Sequence, residues 1–283
     1  MQKVKSRFNQ IPKQLAWSLV VCCILALGGL AHRFTRPEPD AAQKVLKLRG
    51  YEFNGKAFLT AVEATDQLAI TSSLDAGMDV NTRDETSGQT ALILASSRGD
   101  VETVKTLLQR RADLNLKDKS GSTALFRALQ NRHDEVGDLL LAQPSLDLNA
   151  RGLNGVSVLI AYVARSRADV VAKLLERGVA VNCQDADGDT PLHIAAQVGN
   201  VDVLQLLLAK GANVNAKNKV GGTPLMWAAV YDNEAVTRAL IDHGADVSAK
   251  DEDGVTAAEW AAKNKRASIV QLLRDVERQG SRQ

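Results

Sequence analysis

Residues 187–215 read DGDTPLHIAAQVGNVDVLQLLLAKGANVN, the most regular stretch of the chain. A related version begins at Gly221-Gly222-Thr223-Pro224-Leu225 and another at Gly254-Val255-Thr256, so that Thr190, Thr223 and Thr256 lie 33 residues apart. A fixed period of that length marks a repeat architecture, in which no unit can bury its apolar face alone. Within the quoted stretch Thr190 is placed to cap a helix, and Pro191 sits just inside it, where a missing N–H costs nothing. Ala195 and Ala196 are small enough for neighbouring helices to approach. Val203, Leu204, Leu207 and Leu208 give a second helix an inward stripe, and Gly211 ends it, since glycine tolerates the left-handed conformation. Asn215 then enters a projecting turn that leads to Gly221.

Going back along the chain, Ser157, Thr123, Thr90 and Ala57 occupy the same slot at spacings of 33, 34, 33 and 33, giving seven copies. The paired apolar residues of the second helix recur in phase at Leu107-Leu108, Leu140-Leu141, Leu174-Leu175, Leu207-Leu208 and Leu240-Ile241. This register, with the TPLH of residues 190–193, resembles the ankyrin repeat family, and within it bacterial membrane-anchored or exported members. The resemblance implies an all-α solenoid of helix pairs with projecting turns. The copies fall at 55–87, 88–120, 121–154, 155–187, 188–220, 221–253 and 254–278. Residues 41–54 place Val45, Leu46 and Leu48 on one helical face and resemble a truncated repeat that caps the first copy. Residues 279–283 form a tail.

A repeat array has no single central core; each unit covers its neighbour. The 20 glycines serve turns, and the 4% aromatic content suits a thin stack filled by Leu, Ala and Val. The net charge of +2 divides unevenly: Lys3, Lys5, Arg7 and Lys13 supply +4, residues 32–40 cancel, and the remainder is −2. A chain that reads nucleic acid needs a basic face to neutralise phosphates, so no nucleic-acid partner is expected. Cys22, Cys23 and Cys183 allow neither a disulfide framework nor a zinc site.

Residues 15–31 carry no charge over 17 residues, about 25 Å of helix, at the short end of what spans a bilayer. The basic segment 1–14 before it favours a cytoplasmic N-terminus. A single-pass anchor and the apolar core of a cleaved signal peptide both fit. Either sends the repeats across a membrane, most simply the bacterial inner membrane with the repeats in the periplasm. Residues 32–40, with Pro37 and Pro39 among mixed charges, read as a stalk.

The copies differ most in the middle. Pro144 stands where glycine belongs at the end of the second helix, with one residue added, and Tyr162-Val163 replaces the alanine pair. Larger residues there force helices apart, so a bend is expected at about residues 125–165.

Ankyrin-like scaffolds bind through their turns and the concave face of their first helices, so the slots four, seven and eight residues after the opening threonine are the candidate contacts. Earlier copies place Arg98, Arg127 and Arg165 there; later ones place Ile194, Val198, Trp227, Tyr231 and Trp260. Aromatics with a polar handle beside apolar neighbours have the composition of an interface hot spot, and packing between repeats is the competing reading of both tryptophans. The turn tips carry Arg83, Lys117, Arg151, Lys217 and Lys250, most of them followed by aspartate. Hydrogen bonds between adjacent turns explain them better than phosphate binding.

No nucleophile elbow, zinc-protease helix or phosphate loop occurs, and His133, His193 and His243 fall in different slots. His193 is expected to hydrogen-bond within its turn. No catalytic residue, cofactor, metal or small-molecule substrate is expected. The reading is a membrane-tethered scaffold for an unidentified protein partner, in an accessory, inhibitory or immunity-type role. Spacing of components within an envelope complex is the alternative, and an enzyme is the weakest.

Overall fold

The computed structural model describes residues 39–280. In every unit but the third, at least one helix begins with a side-chain oxygen that accepts a backbone N–H three residues on, satisfying one of the orphan donors of a helix start; Thr123 makes no such bond, and the Thr190 hydroxyl, expected to cap, meets His193 Nδ1 instead. Thr90, Ser157, Thr223 and Thr256 cap first helices in this way, and Asp66, Asp100 and Asn200 second ones. The first copy departs from the expected slot. Asn54, three residues before Ala57, is its cap, accepting from the Ala57 N–H at 2.8 Å.

The elements are α1 (Pro39–Leu48), then α2 (Gly55–Glu63) with α3 (Gln67–Asp75), α4 (Ala91–Arg98) with α5 (Val101–Gln109), and α6 (Ala124–Gln130) with α7 (Asp134–Leu141). A 3₁₀ turn at Leu153–Gly155 precedes α8 (Val158–Val163) and α9 (Ala168–Glu176). Then come α10 (Pro191–Val198) with α11 (Val201–Ala209), α12 (Pro224–Val230) with α13 (Glu234–Asp242), and α14 (Ala257–Lys263) with α15 (Ala267–Gly280). Seven helix pairs therefore follow α1 among the described residues. They stack as an all-α solenoid, first helix on first helix and second on second. Helix α1 starts at Pro39, inside the stretch read as stalk, and packs on α3, burying Ala42 and Leu46. The candidate membrane segment, residues 15–31, lies outside the described residues, and among those described no helix is long and apolar enough to cross a membrane.

The buried residues run through the stack as one continuous cluster from Leu46 to Leu273. The alanine pairs sit at its tightest points: Ala195, Ala196, Ala228 and Ala229 are wholly buried where α10, α12 and α14 meet. At about 25 cal/mol per Å² of apolar surface removed from water, this shared cluster is the main favourable term, and each pair owes much of it to its neighbours.

One junction is built differently. Tyr162 and Val163 are fully buried in α8, and the facing position on α7 is Gly137, where a Cβ would stand 3.0 Å from the Tyr162 hydroxyl. A ring occupies the space that a methyl group fills elsewhere. The backbones of α6 and α8 approach far less closely than those of other neighbouring first helices, and α7 and α9 are joined mainly through the arginines at the ends of α9. The irregularity expected from the sequence at residues 125–165 is thus a parting of two neighbouring pairs.

Candidate protein-binding face

The two tryptophans on the first-helix face are each held by an aspartate of a turn. Trp227, on α12, donates its indole N–H to Asp189 Oδ1 at 3.2 Å, an oxygen that also accepts from Asn218 Nδ2 at 2.9 Å. Trp260, on α14, donates to Asp251 Oδ2 at 2.7 Å, while Asp251 Oδ1 accepts the backbone N–H groups of Asp253 and Val255. Burial works against the charge on Asp251, but these donors outweigh it and hold the carboxyl below the usual carboxylate range. Both rings are therefore oriented before any partner arrives.

Their faces remain partly open. Trp227 and Tyr231 lie with ring centroids 5.9 Å apart, Tyr231 Oη accepts from Gln197 Nε2 at 2.8 Å, and Lys263 Nζ stands 4.9 Å from the centre of the Trp260 ring. A crevice of about 210 Å³ runs between the indoles, lined by Val220, Met226, Trp227, Val230 and Trp260, with Asn218 and Asp251 at its edge. Val198, Val220 and Tyr231 are 42%, 61% and 44% exposed, so apolar surface continues from the crevice to solvent. Ile194 is half-buried beside them. Of these residues Ile194, Val198, Trp227, Tyr231 and Trp260 are candidates from the sequence; Val230 is not singled out, and Val220 and Met226 stand outside the slots considered.

The three arginines do not form one patch. Arg127 turns back to its own turn, where Nε and Nη2 reach Asp118 Oδ2 at 2.9 and 2.6 Å. Asp118 is 6% exposed; burial raises its pKa, but hydrogen bonds from Ser120, Arg127 and Ser122 prevail and lower it. Arg165 pairs across the parted junction with Asp134 at 3.3 Å. Arg98 is exposed and makes no ion pair among the described residues.

The basic turn residues act as straps. Arg83 Nη1 donates to the Gly88 carbonyl at 3.1 Å and the Lys117 carbonyl at 2.8 Å; Arg151 Nη1 does likewise to Gly155 and Gln184. Lys217 Nζ donates to the Lys250 carbonyl at 2.9 Å. A second seam was not foreseen. The side-chain oxygens of Asn81, Asn115, Asn182 and Asn215 accept the N–H groups of Asp113, Asp147, Asn213 and Asp246, each one copy on. The asparagines recur in the sequence at the period of the repeat, which is the signal that could have revealed it.

His193 is 1% exposed. Its Nδ1 accepts the Thr190 N–H at 3.1 Å, and Nε2 lies 3.0 Å from the Gly222 carbonyl, so it ties its own turn to the next. Burial lowers its pKa and keeps the ring neutral, with Nε2 as the donor. Cys183 Sγ lies 3.1 Å from Ser157 Oγ, and burial pushes its thiol up. Among the described residues no three His, Cys, Asp or Glu side chains converge to hold a metal.

Compared with known proteins, the chain matches the description "Ankyrin repeats (3 copies)" at residues 58–152, 139–218 and 214–281. It is similar to Neurogenic locus notch homolog protein 1 of Xenopus laevis, 31% identical over 132 residues, which is 47% of this chain and 5% of that protein. It is also similar to mouse Rabankyrin-5, 34% identical over 117 residues, 40% of this chain and 10% of that protein. The mouse Neurogenic locus notch homolog protein 1 is 32% identical over 125 residues, 44% of this chain and 5% of its own length. These relatives are eukaryotic, and the chain spans well under two thirds of each, so the likeness is one of repeats. With matches running from residue 58 to 281 and seven helix pairs stacked in register, this chain belongs to the ankyrin repeat family.

Proposed function

We propose that the chain is a non-enzymatic scaffold that binds a protein through the first-helix face of its fifth to seventh pairs. The observation that carries this reading is the crevice between Trp227 and Trp260, an apolar slot with oriented walls and a fringe of exposed Val198, Val220 and Tyr231. Ile194 extends it, and Arg98 offers charge further along the same face, while Arg165 is engaged by Asp134. Interfaces concentrate binding energy in such aromatic pockets. Arg127 is assigned to the fold, since its guanidinium is engaged by Asp118.

Tethering belongs to the same reading. Uncharged residues 15–31 follow four basic residues and support an anchor, with the repeats on the far side of the membrane. Placement in a bacterial periplasm, in an accessory, inhibitory or immunity-type role, rests on the resemblance to exported bacterial members.

The test is crosslinking in native membranes, with the partner identified by mass spectrometry and its capture compared between the native chain and the Val220→Asp/Tyr231→Ala variant. Loss of the partner with an unchanged far-UV spectrum supports the reading. Capture that survives the double substitution sinks it.

A further inference from the structure

We propose that the solenoid is articulated between its third and fourth helix pairs, so that α2–α7 and α8–α15 are two stacks that open and unfold separately. At the other junctions like helices pack directly, and asparagine bonds between turns, a backbone bond between turn tips, or both tie the neighbouring pairs together. The tip bonds run from Lys119 N to Ser87 O, Ala186 N to Asn154 O, Lys219 N to Asp187 O and Glu252 N to Val220 O. At the Tyr162 junction, among the described residues, each seam fails. The helix backbones stand apart, with the buried core bridging them through Tyr162, Asn149 makes no bond to the next copy, and no backbone bond joins the tip at 118–122 to that at 152–156.

What replaces them is long and charged. Arg165 reaches Asp134 at 3.3 Å, Arg167 reaches Asp138 at 3.0 Å, and Arg177 Nη1 donates to the Leu141 carbonyl at 2.9 Å. All three straps come from the fourth pair and end on the third. The Asp134 and Asp138 side chains are each 45% exposed, so water and salt reach the Arg167–Asp138 pair, while the Asp134 Oδ1 that faces Arg165 is buried without a hydrogen bond. On either side of the junction lies a cleft, of about 650 Å³ by Phe126, Leu129 and Arg165 and about 630 Å³ by Pro144, Val170 and Arg177.

Tyr162 is the wedge. Its ring fills the gap, and its buried hydroxyl has no hydrogen-bond partner among the described residues, which adds a cost at this junction. In a one-dimensional array, cooperativity passes from unit to unit through interface energy, and a weak interface divides it. The apolar face around Trp227 then lies wholly within the second stack.

The test perturbs one stack and reads both. Leu240, fully buried in α13, is replaced by alanine in the full chain, and hydrogen exchange is followed helix by helix across a urea series. The midpoint for α8–α15 should fall by about 1 M or more, as a cavity of that size predicts, while that for α2–α7 stays within error. Leu107→Ala in α5 should give the converse. Restoring the small pair and the side chain that faces it, with Tyr162→Ala/Val163→Ala/Gly137→Val, should couple the stacks, so that Leu240→Ala then lowers both midpoints. A fall of both midpoints together with Tyr162 and Val163 in place overturns the articulation.

Discussion

Arg127→Ala separates a residue of the fold from a residue of the interface. In the native chain Asp118 accepts five hydrogen bonds, two of them from Arg127 to Oδ2 and three from Ser120 and Ser122 to Oδ1. Removing the guanidinium leaves Oδ2 with no donor on a side chain only 1% exposed. Breaking a fully buried pair costs about 3–5 kcal/mol, and the Arg127 side chain, 24% exposed, leaves a route for water that trims this to about 2–3 kcal/mol. Asp118 supplies the sign of the pH dependence. Its folded pKa lies below the ordinary 3.8, so its contribution is complete above that value and is lost as pH falls through the folded pKa. The assay is urea unfolding read by hydrogen exchange in α4–α7 at neutral pH, for Arg127→Ala, Asp118→Asn and the double variant. The double should lose less than the sum of the singles by about 1–2 kcal/mol. Arg127→Ala within about 0.5 kcal/mol of the native chain, together with lost partner capture, refutes the structural assignment and returns Arg127 to the interface.

Two further outcomes follow from single residues. Because His193 is neutral when folded and protonates more readily when unfolded, stability should be complete above about pH 6.5 and decline below it until the lower folded pKa is passed, by at most about 1.4 kcal/mol per pH unit; comparison of urea midpoints for His193→Gln and the native chain between pH 7.5 and about pH 5 checks it. Gly199 closes α10 at φ 83°, and a Cβ there would collide with Oδ1 of Asn233, whose Nδ2 donates to the Ala196 and Gln197 carbonyls of α10; Gly199→Ala should lower stability by about 1–3 kcal/mol in thermal unfolding.

The regular parts of the molecule were legible because one cause repeats. A threonine cap, an alanine pair and a leucine pair every 33 residues can be satisfied only by stacked helix pairs, and the helices stand where that period puts them. The first cap was misplaced because Asn54 does at an earlier position what threonine does elsewhere, and a fixed slot hides an equivalent oxygen. The fate of the arginines was not legible for a different reason. Arg98, Arg127 and Arg165 share a face, but whether a guanidinium is free depends on a carboxylate nine residues away in a turn, as with Asp118, or in the neighbouring pair, as with Asp134. Slot position reports direction and says nothing of partners. Tyr162 shows the same limit: its size announced a disturbance, while Gly137 and the unpaired hydroxyl decide its form.

Packing and binding compete as explanations of Trp227 and Trp260 only if a side chain has one surface. An indole has a polar edge and two apolar faces, and here the edge is used internally, by Asp189 and Asp251, while ring surface borders the crevice. Anchoring the edge removes rotamer freedom that a partner would otherwise have to freeze, at about 0.5–1.5 kcal/mol per side chain, so the bond that looks structural is also preorganisation for contact. The same holds for Tyr231, whose hydroxyl is held by Gln197 from the preceding pair and whose ring remains in the open. Each of these bonds crosses between neighbouring repeats or ties a helix to its turn, so the geometry of the apolar slot is fixed by the stacking of the second half of the array.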